Sequence, residues 1–196
     1  MIEKVTLRGF GVRLEPLEEA THFEPLADAI ADGDLWRIPV TSVPHPDDLS
    51  RFFAEAEEAL EAGRELAFAT IDEASGRVAG STRFRCIDVS HRRAEIGFTF
   101  LAAGFQRTVV NTAAKLLMMR HAFEVWETNR VEYLTDVLND RSRAAIERIG
   151  ARPEGVLRCH MVMRDGRIRD SAIYSVIAGE WPEVQAALER RLGVKR

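Results

Sequence analysis

Cysteine is scarce in this chain, and long hydrophobic runs are absent. The two cysteines, Cys86 and Cys159, lie far apart and form neither a CxxC pair nor a Cys/His metal pattern. We therefore expect reduced thiols, as is usual in cytosolic proteins, and no metal site. No segment reaches the length of a membrane-spanning helix, and residues 1–17 hold no uninterrupted apolar stretch typical of a signal sequence. These absences predict a cytoplasmic protein that does not enter a membrane.

An excess of positive charge is also lacking. Lysine and arginine number 27 against 31 acidic residues, which gives a formal net charge of −4. A surface built to bind nucleic-acid phosphates needs the opposite balance, so we expect no nucleic-acid partner. Repeats and low-complexity segments are missing as well, and 46% of the residues are hydrophobic. A chain of 196 residues with this composition can bury a sizeable core, and we expect a single domain over residues 1–196.

Hydrophobic spacing predicts a chain of mixed helices and strands. The predicted elements are a strand at 11–14, helices at 18–30 and 49–60, strands at 65–71, 77–89 and 94–101, a helix at 109–127, a strand at 131–137, a helix at 140–149, strands at 155–163 and 168–177, and a helix from about 181. The prolines between residues 33 and 46 exclude regular structure there. A helix between the fourth and fifth strands allows those two to run parallel, whereas hairpins are antiparallel. The class is therefore α/β (α+β), with a mixed, mostly antiparallel seven-stranded sheet flanked by helices.

The stretch from 94 to 115 is the most informative for chemistry, since it runs from a strand through a short loop into a long helix. A helix N-terminus presents unpaired N–H groups and partial positive charge, and so it can bind phosphate. Polar donors cluster around this end: Gln106, Arg107, Thr108, Asn111 and Thr112. The alternative is that Thr108 only caps the helix. Lys115 is not a P-loop lysine, because no GxxxxGK[ST] motif precedes it.

Several segments in this order resemble the RimJ/RimL-like branch of the GNAT superfamily of N-acetyltransferases. They are VRLEPL at 12–17, AEIGFTFL at 94–101, LMMRHAFEVWETNRVEYLTDVLNDRSRAAIERIGARPEGVLR at 117–158 and GRIRDSAIYSVIAGEWPEV at 166–184. The resemblance implies a GNAT fold in which the fourth and fifth strands splay apart. It also implies acetyl-CoA as the co-substrate, direct attack of a primary amine on the thioester, and no metal.

The resemblance further implies which residues hold acetyl-CoA. The pantetheine arm would lie along the fourth strand, and backbone N–H groups of the following loop would hold the pyrophosphate. The residues concerned are Phe98, Phe100 and Leu101 for the arm, and Gln106, Arg107, Thr108, Val109, Val110, Asn111 and Thr112 for the pyrophosphate. Asn139 matches an asparagine that holds the CoA arm. Val109 and Asn111 depart from the family pattern, which has glycine or alanine at those two positions, although both retain the backbone N–H.

Two side chains are candidates for proton transfer by the same resemblance. Glu95 stands where relatives place an acidic residue that acts through water, and the alternative is a surface carboxylate beside Arg92 and Arg93. Ser142 stands where some relatives protonate the departing thiolate with a hydroxyl. Its alternative is an ordinary first-turn residue beside a capping Asp140.

The acceptor side is marked by three aromatic or aliphatic residues. Trp36 and Ile38 resemble the loop that shapes the acceptor pocket in relatives, or they cover the core. Tyr174 on the last strand either faces the cleft or packs inside. An α-amino group has a reference pKa near 8 and a lysine side chain one near 10.4, so a weak base favours peptide or protein N-termini. A small-molecule amine, a non-catalytic acyl-CoA-binding module and a homodimer are the further possibilities that the sequence leaves open.

Overall fold

The computed structural model describes residues 2–194, and in this range eight strands form one sheet. The strands are β1 (Leu7–Gly9), β2 (Val12–Pro16), β3 (Leu66–Asp72), β4 (Val78–Asp88), β5 (Arg93–Leu101), β6 (Arg130–Asp136), β7 (Arg152–Val162) and β8 (Ile168–Ile177). The helices are α1 (Glu19–Ala31), α2 (Leu49–Glu61), α3 (Val110–Arg120), α4 (Asp140–Arg148) and α5 (Trp181–Arg191).

The sheet is mixed and mostly antiparallel, as predicted. Its strand order is β1-β2-β3-β4-β5-β6-β8-β7, and β5–β6 is the parallel pair among the described strands. The predicted count of seven strands is one too low because β1 was missed. That strand has three residues, too few to show an alternating pattern, and it turns back onto β2 at Phe10 and Gly11, which both have positive φ.

The predicted splaying of the fourth and fifth strands is confirmed in β5 and β6. These strands pair only over Arg93–Glu95 and Arg130–Glu132. Beyond that point β5 stays paired with β4, and β6 stays paired with β8. Residues 96–101 and 133–136 therefore border an opening in the sheet, called the splayed gap below.

The helices cover the two faces of the sheet. Arg83 and Thr82 are neighbours on β4, so their side chains point to opposite faces. Arg83 lies against Phe52 of α2, whereas Thr82 bonds with Lys115 of α3. One core cluster joins α1 and α2 to Phe100, and a larger one joins α3, α4 and α5 to the sheet.

The helix predicted over 109–127 divides into two parts. Helix α3 ends at Arg120 and continues as a π-helical turn over His121–Val125. The apolar residues at helical spacing in this segment form one buried stripe: Leu116 and Met119 are fully buried, and Trp126 packs against Phe84 with 4.5 Å between ring centroids. Each such side chain contributes about 1.5–3 kcal/mol by leaving water.

Residues 33–46 are irregular apart from short 3₁₀ turns, as the prolines predicted. Across residues 2–194 no helix is both long and apolar enough to cross a membrane. The same part of the chain holds no cluster of three or more His, Cys, Asp or Glu side chains that could bind a metal ion. Cys86 and Cys159 are exposed free thiols.

Candidate active site

A β-bulge marks the edge of the splayed gap. Arg83 pairs with Gly97 and Ser81 with Phe100, so Phe98 and Thr99 together face the single residue Thr82. Phe98 has a φ of 46°, which is rare for a residue with a side chain and typical of a bulge next to a functional site. The bulge redirects the backbone of β5 at the point where the strand has left β6.

Glu95 is buried immediately before the bulge. It is 5% exposed, and its Oε1 accepts a hydrogen bond from Arg85 at 3.1 Å. The Sγ of Cys86 donates to Oε2 at 3.7 Å. The alternative of an exposed carboxylate beside Arg92 and Arg93 is therefore wrong, because Glu95 faces inward and pairs with Arg85.

Burial and charge act on Glu95 in opposite directions. Removal from water raises the pKa of its carboxyl group, and the nearby Arg85 guanidinium lowers that pKa and so limits the rise. Gly97 provides the space for this carboxylate, since a Cβ at Gly97 would come within 2.6 Å of Glu95 Oε1. Glu95 is thus a carboxylate of raised pKa, held in one position at the mouth of the gap.

An arginine stack extends this charged cluster towards α2. The Arg83 guanidinium lies 4.6 Å from the Phe52 ring and 4.8 Å from the Phe98 ring, and Arg85 lies 4.2 Å from Phe98. Both arginines bond with Glu65, at 2.9 and 3.1 Å. This stack was not predicted from the sequence. Two arginines at alternate positions of the otherwise uncharged segment STRFRC were the signal that could have revealed it.

A cavity of about 250 Å³ lies beside Phe98. Residues 41–44, the start of α2 and the hairpin that joins β7 to β8 line it. Its apolar lining includes Val43, Pro44, Phe52, Phe98, Met161 and Met163. Its charged lining consists of Asp48, Glu55, Arg51 and Arg164, and Arg51 donates to Glu55 at 2.7 Å. The cavity combines an apolar wall with charged groups of both signs, a surface that accommodates an apolar group attached to a polar one.

Trp36 and Ile38 lie behind this cavity and do not line it. Both are half-buried and pack against the core cluster of α1 and α2, which matches the alternative that they cover the core. The backbone oxygen of Trp36 accepts a hydrogen bond from Arg164 at 2.8 Å. Since Arg164 does line the cavity, Trp36 is one contact removed from it.

The loop between β5 and α3 places polar groups at the start of the helix. Thr108 Oγ1 accepts from the backbone N–H of Val110 at 3.3 Å and donates to the Phe105 oxygen at 2.7 Å. Gln106 donates to the Leu101 oxygen at 2.8 Å and accepts from Arg141 at 2.6 Å. The side chain of Thr108 therefore does bond at the helix start, as the capping alternative expected, although the residue that precedes the helix is Val109.

The start of α3 retains free donors for an anion. First-turn N–H groups such as those of Asn111 and Thr112 have no acceptor within the helix. Arg107 has a φ of 62° and is exposed, and Val109 is 56% exposed. Because Val109 fills no core space, glycine is not required here for packing. The splayed gap and this helix terminus together fit an extended ligand with a phosphate group in its middle.

Asn139 is the cap of α4. Its Oδ1 accepts from the backbone N–H of Ser142 at 3.0 Å, and its Nδ2 reaches the Val40 oxygen at 3.4 Å. The expectation that Asp140 caps this helix is corrected, because Asp140 is the first helical residue. Ser142 uses its N–H for the cap and is half-buried. A CoA contact of Asn139 and a proton-donating role of Ser142 stay predictions.

Tyr174 lies inside the core and is 1% exposed. Its hydroxyl accepts from Arg143 at 3.1 Å and donates to Glu147 at 3.2 Å, and both partners belong to α4. The structure therefore brings Phe98 and Phe100 together with Glu95 along β5, and it places Tyr174 apart from the cavity lining.

Besides Arg83, two further buried cations in residues 2–194 were not predicted from the sequence. Lys115 is 4% exposed and bonds with Thr82 and Thr99. Arg169 on β8 is 6% exposed, and within residues 2–194 its Nε has no hydrogen-bond partner. Helical and strand periodicity treat both residues as surface cations, so no local signal identified them.

Comparison with known proteins gives consistent matches. Residues 12–152 match the protein family described as "Acetyltransferase (GNAT) domain". A protein of Bacillus subtilis (strain 168) with the name "Putative ribosomal N-acetyltransferase YdaF" is 36% identical over 106 residues. That alignment covers 54% of this chain and 57% of the relative, so the match spans less than two thirds of the relative's length.

Solved structures match over nearly the whole chain. A GCN5-related N-acetyltransferase from Brucella melitensis has a TM-score of 0.87 at 33% identity, over 97% of this chain and 86% of that chain. Mycobacterium smegmatis RimJ in complex with CoA-disulfide has a TM-score of 0.78 at 23% identity, over 97% and 94% of the two chains. At that identity the second likeness concerns the fold alone.

Proposed function

This chain belongs to the GNAT acetyltransferase family, and on that premise we propose that it moves the acetyl group of acetyl-CoA to a primary amine at a protein or peptide N-terminus. The observation that carries the proposal is the splayed gap. The gap opens beside the buried Glu95, and β5 leads from it through the 102–109 loop to the N-terminus of α3.

The donor side uses backbone more than side chains. Residues 98–101 of β5 have no partner strand on the gap side, so their backbone groups are available to an extended ligand. First-turn N–H groups of α3 take the pyrophosphate, and this needs no lysine. Asn139 is proposed to hold the CoA arm from the opposite side of the gap. When bound, acetyl-CoA supplies the activated acyl group.

Glu95 is proposed to remove the proton of the incoming ammonium group through a water molecule. Its raised pKa brings the carboxylate nearer to the pKa of an amine, which improves a general base. The bond to Arg85 fixes the carboxylate at the gap. Ser142, in the first turn of α4, is proposed to protonate the departing thiolate.

The acceptor class follows from the strength of this base. At neutral pH a lysine side chain costs about 3.3 kcal/mol more to deprotonate than an α-amino group does, given reference pKa values near 10.4 and 8. A carboxylate that acts through water therefore favours N-termini. The name of the Bacillus subtilis relative, "Putative ribosomal N-acetyltransferase YdaF", supports a protein acceptor.

The test begins with calorimetric titration of the purified protein with acetyl-CoA. The complex is then incubated with N-terminal peptides, lysine peptides and small amines while free thiol is measured. We expect micromolar binding, and turnover that is fastest on N-terminal peptides. Absence of binding contradicts the proposal, and binding without turnover on any acceptor indicates an acyl-CoA-binding module. If the enzyme prefers a small amine, its substrate class is a small-molecule amine and not a protein or peptide N-terminus. Homodimer formation is a separate prediction that light scattering tests.

A further inference from the structure

Lys115 is a buried cation without a carboxylate partner. Its Nζ donates to Thr82 Oγ1 at 2.9 Å and to Thr99 Oγ1 at 2.6 Å. Burial lowers the pKa of Lys115 to about 7, and it is the sole cause identified for that shift. Placing a cation here is costly, because a buried charge is normally paired with an opposite charge. Such a cost is often retained at functional sites.

The position of Thr99 links this cation to the splayed gap. Thr99 is the second residue of the bulge, on the part of β5 that has left β6. It is exposed, whereas Thr82 is 1% exposed. The Lys115–Thr82–Thr99 group therefore begins in the core and ends in the gap.

The Thr82 and Thr99 hydroxyls can place their protons in two ways. Lys115 in its charged form can only donate, so both hydroxyl oxygens act as its acceptors. If Thr82 donates to Thr99 Oγ1 at 2.8 Å, the Thr99 hydroxyl has only the Gly97 oxygen at 3.4 Å as an acceptor, a long contact. If Thr99 donates to Thr82 instead, Thr82 donates to Met118 Sδ at 3.6 Å, and a thioether sulfur is a weak acceptor. A stronger acceptor in the gap favours the first arrangement, because it takes the Thr99 proton.

We propose that Thr99 donates a hydrogen bond to the acyl thioester in the splayed gap, and that Lys115 is the positioning residue that orients this hydroxyl and supplies positive charge behind it. The inference rests on the proposed function, since it requires acetyl-CoA in the gap. Acyl transfer develops negative charge on the acyl oxygen and then on sulfur. A preorganised donor backed by a cation stabilises such charge.

The arrangement places the proposed base and the proposed donor on different faces of the sheet. Glu95 lies on the face of the arginine stack and α2, where the ammonium group of an acceptor loses a proton. Thr99 and Lys115 lie on the face of α3, where negative charge is stabilised. The side chains that meet Lys115 Nζ from β4 and β5 are both threonines, so no other ionisable group sets its charge.

The first test compares three threonine variants by steady-state kinetics. Thr99→Val removes the hydroxyl at constant shape and should lower kcat about 10-fold, with the KM for acetyl-CoA within about twofold of wild type. Thr99→Ser restores the hydroxyl and should keep kcat within about threefold. Thr70→Val is the matched control, because Thr70 is a buried threonine of β3, away from the gap. An unchanged kcat in Thr99→Val overturns the inference.

The second test follows Lys115→Met across pH 6 to 8.5. The ratio of wild-type to variant kcat should be largest at pH 6 and should decline as pH passes about 7, because Lys115 then loses its charge. A purely structural role of Lys115 predicts a ratio that does not change with pH. Circular dichroism confirms that the variant folds.

The third test does not depend on activity. In a crystal structure with acetyl-CoA, Thr99 Oγ1 should lie within about 3.5 Å of the acyl oxygen or the sulfur. A separation beyond hydrogen-bond distance overturns the inference. Calorimetry on the wild type separates the two proposals. If acetyl-CoA fails to bind, the proposed function falls, whereas binding and turnover with an indifferent Thr99→Val variant reject this inference alone.

Discussion

At the scale of single residues, Glu95 carries the strongest prediction. Glu95→Gln keeps the shape of the side chain and removes its charge, so kcat/KM should fall about 100-fold, the usual contribution of a general base. The pH profile should also lose the limb that rises as Glu95 ionises, at a pH above the ordinary glutamate range because burial raises its pKa. Glu132→Gln is the control, since Glu132 is the register partner of Glu95 on β6. Equal losses in the two variants would count against a base role for Glu95.

Lys115 predicts a pH-dependent stability. Its pKa is about 7 when folded and near 10.4 when unfolded, so the unfolded chain binds more protons between these values. The free energy of unfolding should therefore rise with pH over this window, by about 3–5 kcal/mol from this group alone. Lys115→Met should abolish this rise and be the more stable protein at pH 7. Urea unfolding at pH 7, 8 and 9 measures the difference, and parallel pH curves for both proteins would contradict it.

Among the features of the candidate site, the burial of its charged residues was predicted worst from the sequence. Glu95 was identified through the family resemblance, but its burial depends on Arg85 on the neighbouring strand and on Gly97 two residues along its own strand. The helical pattern of α3 gives no sign that Lys115 is buried, because its neighbours Thr82 and Thr99 come from strands β4 and β5. The charged and polar neighbours of a residue come from other elements of the fold, so the periodicity of one element cannot predict them.

At the scale of elements, variants of Asn139 at the start of α4 can distinguish its role as a helix cap from its proposed contact with CoA. Asn139→Ala removes the acceptor for the Ser142 N–H and should cost about 1 kcal/mol of stability. Asn139→Asp keeps that acceptor and loses the Nδ2 donor that reaches the Val40 oxygen. We expect Asn139→Asp to keep the stability of the wild type and to raise the KM for acetyl-CoA. Ser142→Ala leaves the cap intact, since the cap uses the backbone. Chemical unfolding measures the loss of the cap, and steady-state kinetics measures the loss of the CoA contact. A wild-type KM for acetyl-CoA in Asn139→Asp would refute that contact.

Elements with clear periodicity were predicted well. Helix α2, strand β3 and the apolar stripe of α3 follow from hydrophobic spacing because each buries one face or both. Strand β1 and the bulge at Phe98 were not predicted. A three-residue strand is defined by its pairing with β2, and a bulge is defined by the register with β4. The splayed gap was expected from the family resemblance, and no propensity of the local sequence indicates it.

At the scale of the whole molecule, the hairpin of β7 and β8 contacts the 33–46 segment, although the bonded residues are 128 positions apart in the sequence. Arg164 donates to the Trp36 oxygen at 2.8 Å, and Arg167 donates to the Pro39 oxygen at 3.5 Å. Because Arg164 also lines the cavity beside Phe98, this contact fixes one wall of the proposed acceptor site. Apart from Phe98, which borders both, different residues line the acceptor cavity and the splayed gap, so acceptor binding and donor binding should depend largely on different residues.

Arg164→Ala should weaken acceptor binding without affecting acetyl-CoA. The variant loses the hydrogen bond to the Trp36 oxygen, worth about 1 kcal/mol, and the hairpin wall of the cavity is then less well fixed. The KM for the acceptor should therefore rise about fivefold. The dissociation constant of acetyl-CoA, measured by calorimetry, should stay within twofold of wild type because the splayed gap and the start of α3 contain no contact to Arg164. Arg190→Ala, an exposed arginine on α5, is the control for loss of a surface charge. If Arg164→Ala weakens acetyl-CoA and acceptor equally, the two sites are coupled through the hairpin, and the separation of donor and acceptor sides is wrong.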